Sequence, residues 1–164
     1  MASDTDLLAA GRLDLFGAGA TFHHVGIVVA SIQETYPGLE SVFDPTQDVT
    51  VAFAEAHGAM LEFIEPGGPQ SPVSVNLKKG VKLAHLCYTV PDLEAAIEHA
   101  LARDLYLIAP PVPAVAFKNR RIAWLYHPAL GLFELLDAGN RLSPPSSFGQ
   151  PQAETTKAIA PTSR

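Results

Sequence analysis

Apolar positions fall in short blocks between Thr21 and Ala138 and thin out on either side. Phe22-His23-His24-Val25-Gly26-Ile27-Val28-Val29 is apolar and β-branched, the pattern of a strand. Val49-Thr50-Val51-Ala52-Phe53-Ala54 predicts a second strand. After the turn Ala56-His57-Gly58, Ala59-Met60-Leu61-Glu62-Phe63-Ile64 returns as its hairpin partner and stops at Pro66-Gly67-Gly68-Pro69. Residues 82–90 read as another strand. Pro91-Asp92 then opens a helix with Leu93, Ala96, Ile97, Ala100 and Leu101 on one face. Residues 121–126 and 131–136 make a closing hairpin around His127-Pro128. The ends lack such patterning. Residues 1–20, rich in Ala, Gly and Asp, are expected to form a short helix or an arm. Residues 139–164, with four prolines and many Ser, Thr and Gln, are expected to be a mostly disordered tail.

The blocks repeat. With His24 laid over His85, residues 25–32 lie over residues 86–93; with Glu62 laid over Glu134, residues 51–53 fall near residues 122–124. Each half runs strand, connecting segment, hairpin, with a histidine on its first strand and a glutamate on its last. A lone mid-strand histidine is usually a hydrogen-bonded core residue, and a lone Glu in Leu-Glu-Phe is usually the polar face of a half-buried strand. All four at repeat-equivalent positions, among Val, Leu, Ile and Phe, are costly to bury unpaired and point to one converging site. Two imidazoles and two carboxylates make an N/O ligand set whose negative charge cancels a divalent cation. His23, His57, His99 and His127 have no repeat-equivalent histidine and are expected at the surface or behind the ligands.

Composition narrows the function classes. A chain of 164 residues is one ordinary domain, or two small halves sharing a core. With 48% apolar and 17% charged residues, wholesale disorder is excluded. A net charge of -6 without a basic stripe argues against nucleic acid as a partner. Cys87, the single cysteine, has no internal disulfide partner, and its place on a core strand suits packing better than nucleophilic chemistry. No run approaches the ~18 apolar residues of a membrane span. Asp4, Asp6, Arg12 and Asp14 interrupt any signal-like segment. The expectation is a soluble, cytoplasmic protein with no membrane partner.

The stretches FHHVGIVVASI, DPTQDVTVAFAEAHGAMLEFIEP, SPVSVNLKKG, LAHLCYTVPDLEAAIEHAL and RRIAWLYHPALGLFELLD resemble the vicinal oxygen chelate superfamily, the glyoxalase and bleomycin-resistance group, and within it methylmalonyl-CoA epimerase-like proteins. The resemblance implies an α+β fold of two paired βαβββ modules that form a cupped, incomplete barrel around a metal. Module one would span residues 21–66, a linker residues 67–81, and module two residues 82–138. It further implies one divalent metal per chain (cobalt, nickel, manganese, zinc or iron), held by His24, Glu62, His85 and Glu134. It implies a small-molecule substrate, with CoA thioesters among the class, and a homodimer. At the position of Glu62 epimerases vary between Gln and Glu, whereas bacterial-type glyoxalase I commonly has Glu. Two departures stand out. The segment between Ile32 and Val49 is short and contains Pro37-Gly38, so the first crossover helix is expected to shrink to about residues 40–43 or vanish. Val51 aligns where some epimerases carry a second catalytic carboxylate, and its side chain moves no proton; Asp48 and Glu55 are the nearby substitutes.

The chemistry implied is proton transfer alpha to a carbonyl, with Glu134 as the expected base and Glu62 second. One reading is an isomerase or epimerase acting on a small acyl-thioester or dicarbonyl. The alternatives are a glyoxalase I-type lyase on a glutathione hemithioacetal, an Fe(II) dioxygenase using His24, His85 and Glu134, and a non-catalytic small-molecule binder. Glu62 would occupy a position that oxygen requires, and retention of all four ligands counts against the binder. For substrate contacts the sequence offers Lys118, Arg120 and Arg121, which can grip a carboxylate or CoA phosphates, and Gln47 and Ser71 as lining residues. Lys78, Lys79 and Lys82 read as a solvated linker rather than a phosphate site.

Overall fold

A computed structural model describes residue 11 and residues 13–139. The expected tail from residue 140 onward, and the first ten residues of the expected arm, lie outside the described residues. Eight strands form one curled sheet: β1 (Thr21–Val28), β2 (Val42–Asp44), β3 (Val49–Ala56), β4 (Ala59–Pro66), β5 (Leu83–Val90), β6 (Tyr106–Ala114), β7 (Arg120–His127) and β8 (Gly131–Asp137). Among the described residues three short α-helices, α1 (Ile32–Thr35), α2 (Ser74–Lys78) and α3 (Leu93–Leu101), and a 3-10 turn at Val115–Phe117 accompany it. The strand order is β2-β3-β4-β1-β5-β8-β7-β6. Read outward from the central β1–β5 pair, each half is the same: β1 and β5 each pair in parallel with the last strand of their own module, β4 and β8. The α+β fold of two βαβββ modules forming a cupped, incomplete barrel is therefore present.

Strand alternation divides the side chains between two faces. On β8, Phe133 and Leu135 join the cluster beneath α3, whereas Leu136 packs with Cys87, Phe117 and Ile122 in a second cluster. Asp92 caps α3, its carboxylate accepting the Ala95 N–H at 3.1 Å. Leu93, Ala96, Ile97 and Ala100 are buried as the spacing predicts, but Leu101 is 47% exposed at the frayed end. Phe16 also belongs to this core. It is buried, with its ring centroid 5.1 Å from that of Tyr88 and 5.4 Å from that of Phe133. The chain just before β1 is thus docked against module two.

The first crossover helix is shortened, but not where expected. It is the single turn α1, capped by Ser31, and Pro37 follows it within two residues. Residues 42–44, which overlap the end of the expected remnant, extend as edge strand β2 on β3. At the opposite edge, β6 carries Pro110, Pro111 and Pro113. An edge strand tolerates them because one side of its backbone has no ladder to complete, and the pairing with β7 slips where they fall.

Candidate metal centre

The registers of the central strands bring the four repeat residues together. Gly26 on β1 lies opposite both His85 on β5 and Glu62 on β4. Its repeat mate, Cys87 on β5, lies opposite both His24 on β1 and Glu134 on β8. The two halves therefore point their His and Glu at one another across the β1–β5 seam. His24 Nε2 is 3.3 Å from Oε2 of both Glu62 and Glu134, and His85 Nε2 is 3.3 and 3.4 Å from the same two atoms. The two Nε2 atoms are 3.1 Å apart. All four residues are buried.

The surroundings hold these side chains in place. At Gly26 a Cβ would stand 2.2 Å from Cε1 of His85, so the His85 ring lies directly on the β1 backbone. Phe53 packs edge-on to His24 with ring centroids 5.4 Å apart, and Trp124 packs edge-on to His85 at 4.8 Å. Phe53 lies opposite Glu62, and Trp124 opposite Glu134, in their hairpins. The repeat thus extends to an aromatic beside each histidine. A bulge between Phe22 and His24 leaves His23 without a cross-strand partner. It turns His23 to the same side as His24, where their Nδ1 atoms are 2.8 Å apart. His24 Nε2 is free to act as a ligand only when its proton sits on Nδ1. His23 Nδ1 then accepts that proton's hydrogen bond.

The electrostatics are those of a closed charge group. Burial disfavours the charged His85 ring, but hydrogen bonding and charge from Glu134 and Glu62 outweigh it and raise its pKa to about 9. His24 is raised for the same reasons. Burial likewise opposes ionisation of Glu134, but the two imidazoles bring it down to about 2. Burial, then Glu134, pushes the Cys87 thiol up, so it is a packing residue and not a nucleophile.

The donor set fits a divalent ion. Oε2 of Glu134 is buried, and the two imidazole nitrogens are the only polar groups it faces among the described residues. The four ligand atoms all lie within 4.8 Å of one another, and the His–His and His–Glu spacings of 3.1–3.4 Å are edges of a polyhedron of small radius. An ion ~2.0–2.2 Å from each corner has edges of that size.

A cavity of about 500 Å³ opens onto this group, with Glu62, His85 and Glu134 at its inner end. Gln47 lines it, but its amide Nε2 donates to Asp44 at 3.1 Å. Ser71 is buried, with a hydroxyl that has no hydrogen-bond partner, and is not in the lining although Pro72 and Val73 are. Lys118, Arg120 and Arg121 do not line the cavity. Arg121 makes a two-pronged ion pair with Glu94 of α3 and a further one with Asp137 at 3.1 Å. Arg120 donates to the Asp137 carbonyl at 3.2 Å and lies over the Phe117 ring. Lys78, Lys79 and Lys82 are also outside the lining. Val51 faces the cavity, as does Asp48, whereas Glu55 is exposed and caps the Gly58 N–H at the hairpin end.

His23 takes the second of its two expected places, behind a ligand, whereas Gly26 and Asp44 were not singled out in the sequence. The signal for Asp44 was the run Asp44-Pro45-Thr46-Gln47, a turn-opening pattern. Its carboxylate accepts the Thr46 N–H at 2.9 Å and the Val115 N–H at 3.2 Å, tying β2 to module two.

Comparison with known proteins places this geometry. The mitochondrial methylmalonyl-CoA epimerase of Dictyostelium discoideum is 27% identical over 115 residues, spanning 63% of this chain and 69% of that protein. A hypothetical protein from Bacillus halodurans has a solved structure with a TM-score of 0.62 and 24% identity, covering 77% of this chain and 99% of that one. The Mycobacterium tuberculosis methylmalonyl-CoA epimerase gives a TM-score of 0.60 at 20% identity, covering 79% and 94%. The Streptomyces coelicolor methylmalonyl-CoA epimerase, solved in complex with 2-nitronate-propionyl-CoA, gives 0.58 at 20%, covering 76% and 98%. These structures share the fold. The family model matches residues 23–124, well over half of the chain, and so the chain belongs to the glyoxalase/bleomycin resistance protein/dioxygenase superfamily.

Proposed function

We propose that the protein is a metal-dependent isomerase of the epimerase type, moving a proton alpha to a carbonyl of a small acyl-thioester or dicarbonyl substrate. The observation that carries this reading is the convergence of four buried donors, His24, Glu62, His85 and Glu134, at the inner end of a cavity. His24, Glu62, His85 and Glu134 would hold one divalent ion, whose Lewis acidity would make the C–H beside a bound carbonyl more acidic. Glu134, at the inner end of the cavity, would take the proton on its carboxylate. Glu62, from the other module, would start protonated and deliver its own proton to the opposite face, and exchange with water would then reset both carboxyl groups, so no carboxylate is required at Val51. His23 keeps the proton of His24 on Nδ1, and the rings of Phe53, Phe117 and Trp124 around the histidines keep water away.

The epimerase relatives support the reaction type. A carboxylate at Glu62 favours a second reading, a glyoxalase I-type lyase on a glutathione hemithioacetal. The same reading takes the molecule as a homodimer. Its sheet edges are guarded by the shortness of β2 and the prolines of β6, so two copies would meet through their faces.

The test is elemental analysis followed by proton exchange. Purified protein is expected to carry one divalent metal per chain, and His85→Ala or Glu134→Gln to lose it. NMR in deuterated solvent is expected to show exchange at the alpha carbon of an acyl-thioester. Turnover of methylglyoxal with glutathione and no thioester exchange would select the lyase. Metal-free protein with unaltered ligand binding would remove both.

A further inference from the structure

We propose that the part of the substrate entering the cavity is apolar and uncharged beyond its two reacting oxygens, and selected against a carboxylate carried further along the chain. The inference rests on the metal-assisted reading above for the placement of the two oxygens. Its own support is the charge pattern of the cavity wall.

Beyond the self-neutralising His–Glu group at the inner end, the charged side chains in the cavity wall are carboxylates. Glu62 and Glu134 lie at the inner end, Asp44 and Asp48 in the wall, and no lysine or arginine is in the lining among the described residues. Of the donors that the sequence offered to an anion, Lys118 lies outside the lining and the others are committed elsewhere. Arg121 is held by Glu94 and Asp137, and Arg120 by the Asp137 carbonyl and the Phe117 ring. The Gln47 amide is spent on Asp44. Much of the rest is apolar: Val51, Ile64, Ile108, Val112, Trp124 and Leu132. A carboxylate carried beyond the reacting oxygens would lie against Asp44, Asp48 and apolar side chains, with no lysine or arginine in the lining to pair with. A neutral hydrocarbon body loses nothing there and buries apolar area. At about 500 Å³ the cavity is in the range that holds a whole organic molecule, well beyond a four-carbon acyl unit. Val51 extends the apolar wall at the position where the resemblance leads one to look for a carboxylate.

Trp124, the sole tryptophan, lines the cavity and reports ligand entry through its fluorescence, with or without metal. The probes are three N-acetylcysteamine thioesters. The 3-oxohexanoyl and 3-oxoadipyl compounds have the same chain length and differ by a terminal carboxylate. The methyl ester of the 3-oxoadipyl thioester keeps the size and masks the charge. Each is titrated into the protein as purified and after chelator treatment. The expected result is that the two neutral probes bind at least tenfold more tightly than the carboxylate in both forms. Equal or tighter binding of the carboxylate, or no quenching by any probe in either form, would overturn the proposal. Failure of the metal-assisted reading shows separately, as absent metal in elemental analysis, and leaves the affinity ratio on the chelator-treated protein to be read on its own. A carboxylate preference in protein that holds one metal per chain overturns this inference alone.

Discussion

Gly26 and His23 carry no ligand atom of the four-residue group, yet each decides where one of its histidines points. The His85 ring rests where a Cβ on residue 26 would be. Gly26→Ala is therefore expected to swing His85 away from the carboxylates and lower cobalt affinity at least tenfold, measured by equilibrium dialysis, while the strand still forms. Cys87 holds the matching position in module two, so that half of the repeat is not built around a bare backbone. His24 is steadied instead by Phe53, by the stacked Phe117 ring and by His23. His23→Phe keeps the edge-on packing against Phe117 but removes the acceptor for His24 Nδ1–H. The expected loss in metal affinity is about 10–100-fold, the usual effect of removing such a partner. His23→Gln, which restores an acceptor oxygen, is expected to recover much of it. A purely packing role for His23 predicts the reverse order of the two variants.

At the scale of elements, the two modules are joined by the β1–β5 seam and also by one buried carboxylate. Asp44 at the end of β2 accepts N–H groups from its own turn and from Val115, across the cavity mouth in module two. Asp44→Ala leaves these donors without their partner and is expected to cost about 3 kcal/mol in urea unfolding, in the range for hydrogen bonds to a buried charge. Asp44→Asn, which keeps an acceptor, is expected to cost less. The strands and α3 were legible because alternation and 3.6-residue spacing are strong over eight or nine positions. The helix α1 was placed too late because four residues carry no periodicity, and only Ser31 ahead of it and Pro37 behind it mark its place. Strand β6 was invisible because three prolines read as loop, although an edge strand admits them. The four ligands were legible through the repeat, which fixes strand position and hence facing. The cations were not. Proximity to a hairpin in sequence does not say which face a side chain takes, and Arg121 points to α3 while its neighbour Ile122 is buried in the opposite cluster.

At the scale of the whole molecule, the metal group is also its main buried charge, and this ties folding to pH. His85 titrates near 9 in the folded chain against an ordinary 6.5. Its contribution is fully present below pH 6.5 and is lost as pH rises through 9. Glu134 titrates near 2 against an ordinary 4.5. Its contribution is present above pH 4.5 and is lost as pH falls through 2. Protein stripped by a chelator is therefore expected to be most stable between pH 4.5 and 6.5, with a melting temperature that declines toward pH 9 and toward pH 2. A divalent ion competes with the protons on His24 and His85, so loading it releases protons, and its apparent affinity is expected to climb between pH 6.5 and pH 9. Cobalt titrations across that range, beside melting curves of stripped and loaded protein, check both halves. Loaded protein should lose the alkaline decline, because the ion then neutralises Glu62 and Glu134 in place of two imidazolium rings. A stripped protein whose stability rose from pH 6.5 to pH 9 would mean that the histidines are buried neutral, and the charge pairing that fixes this site would be wrong.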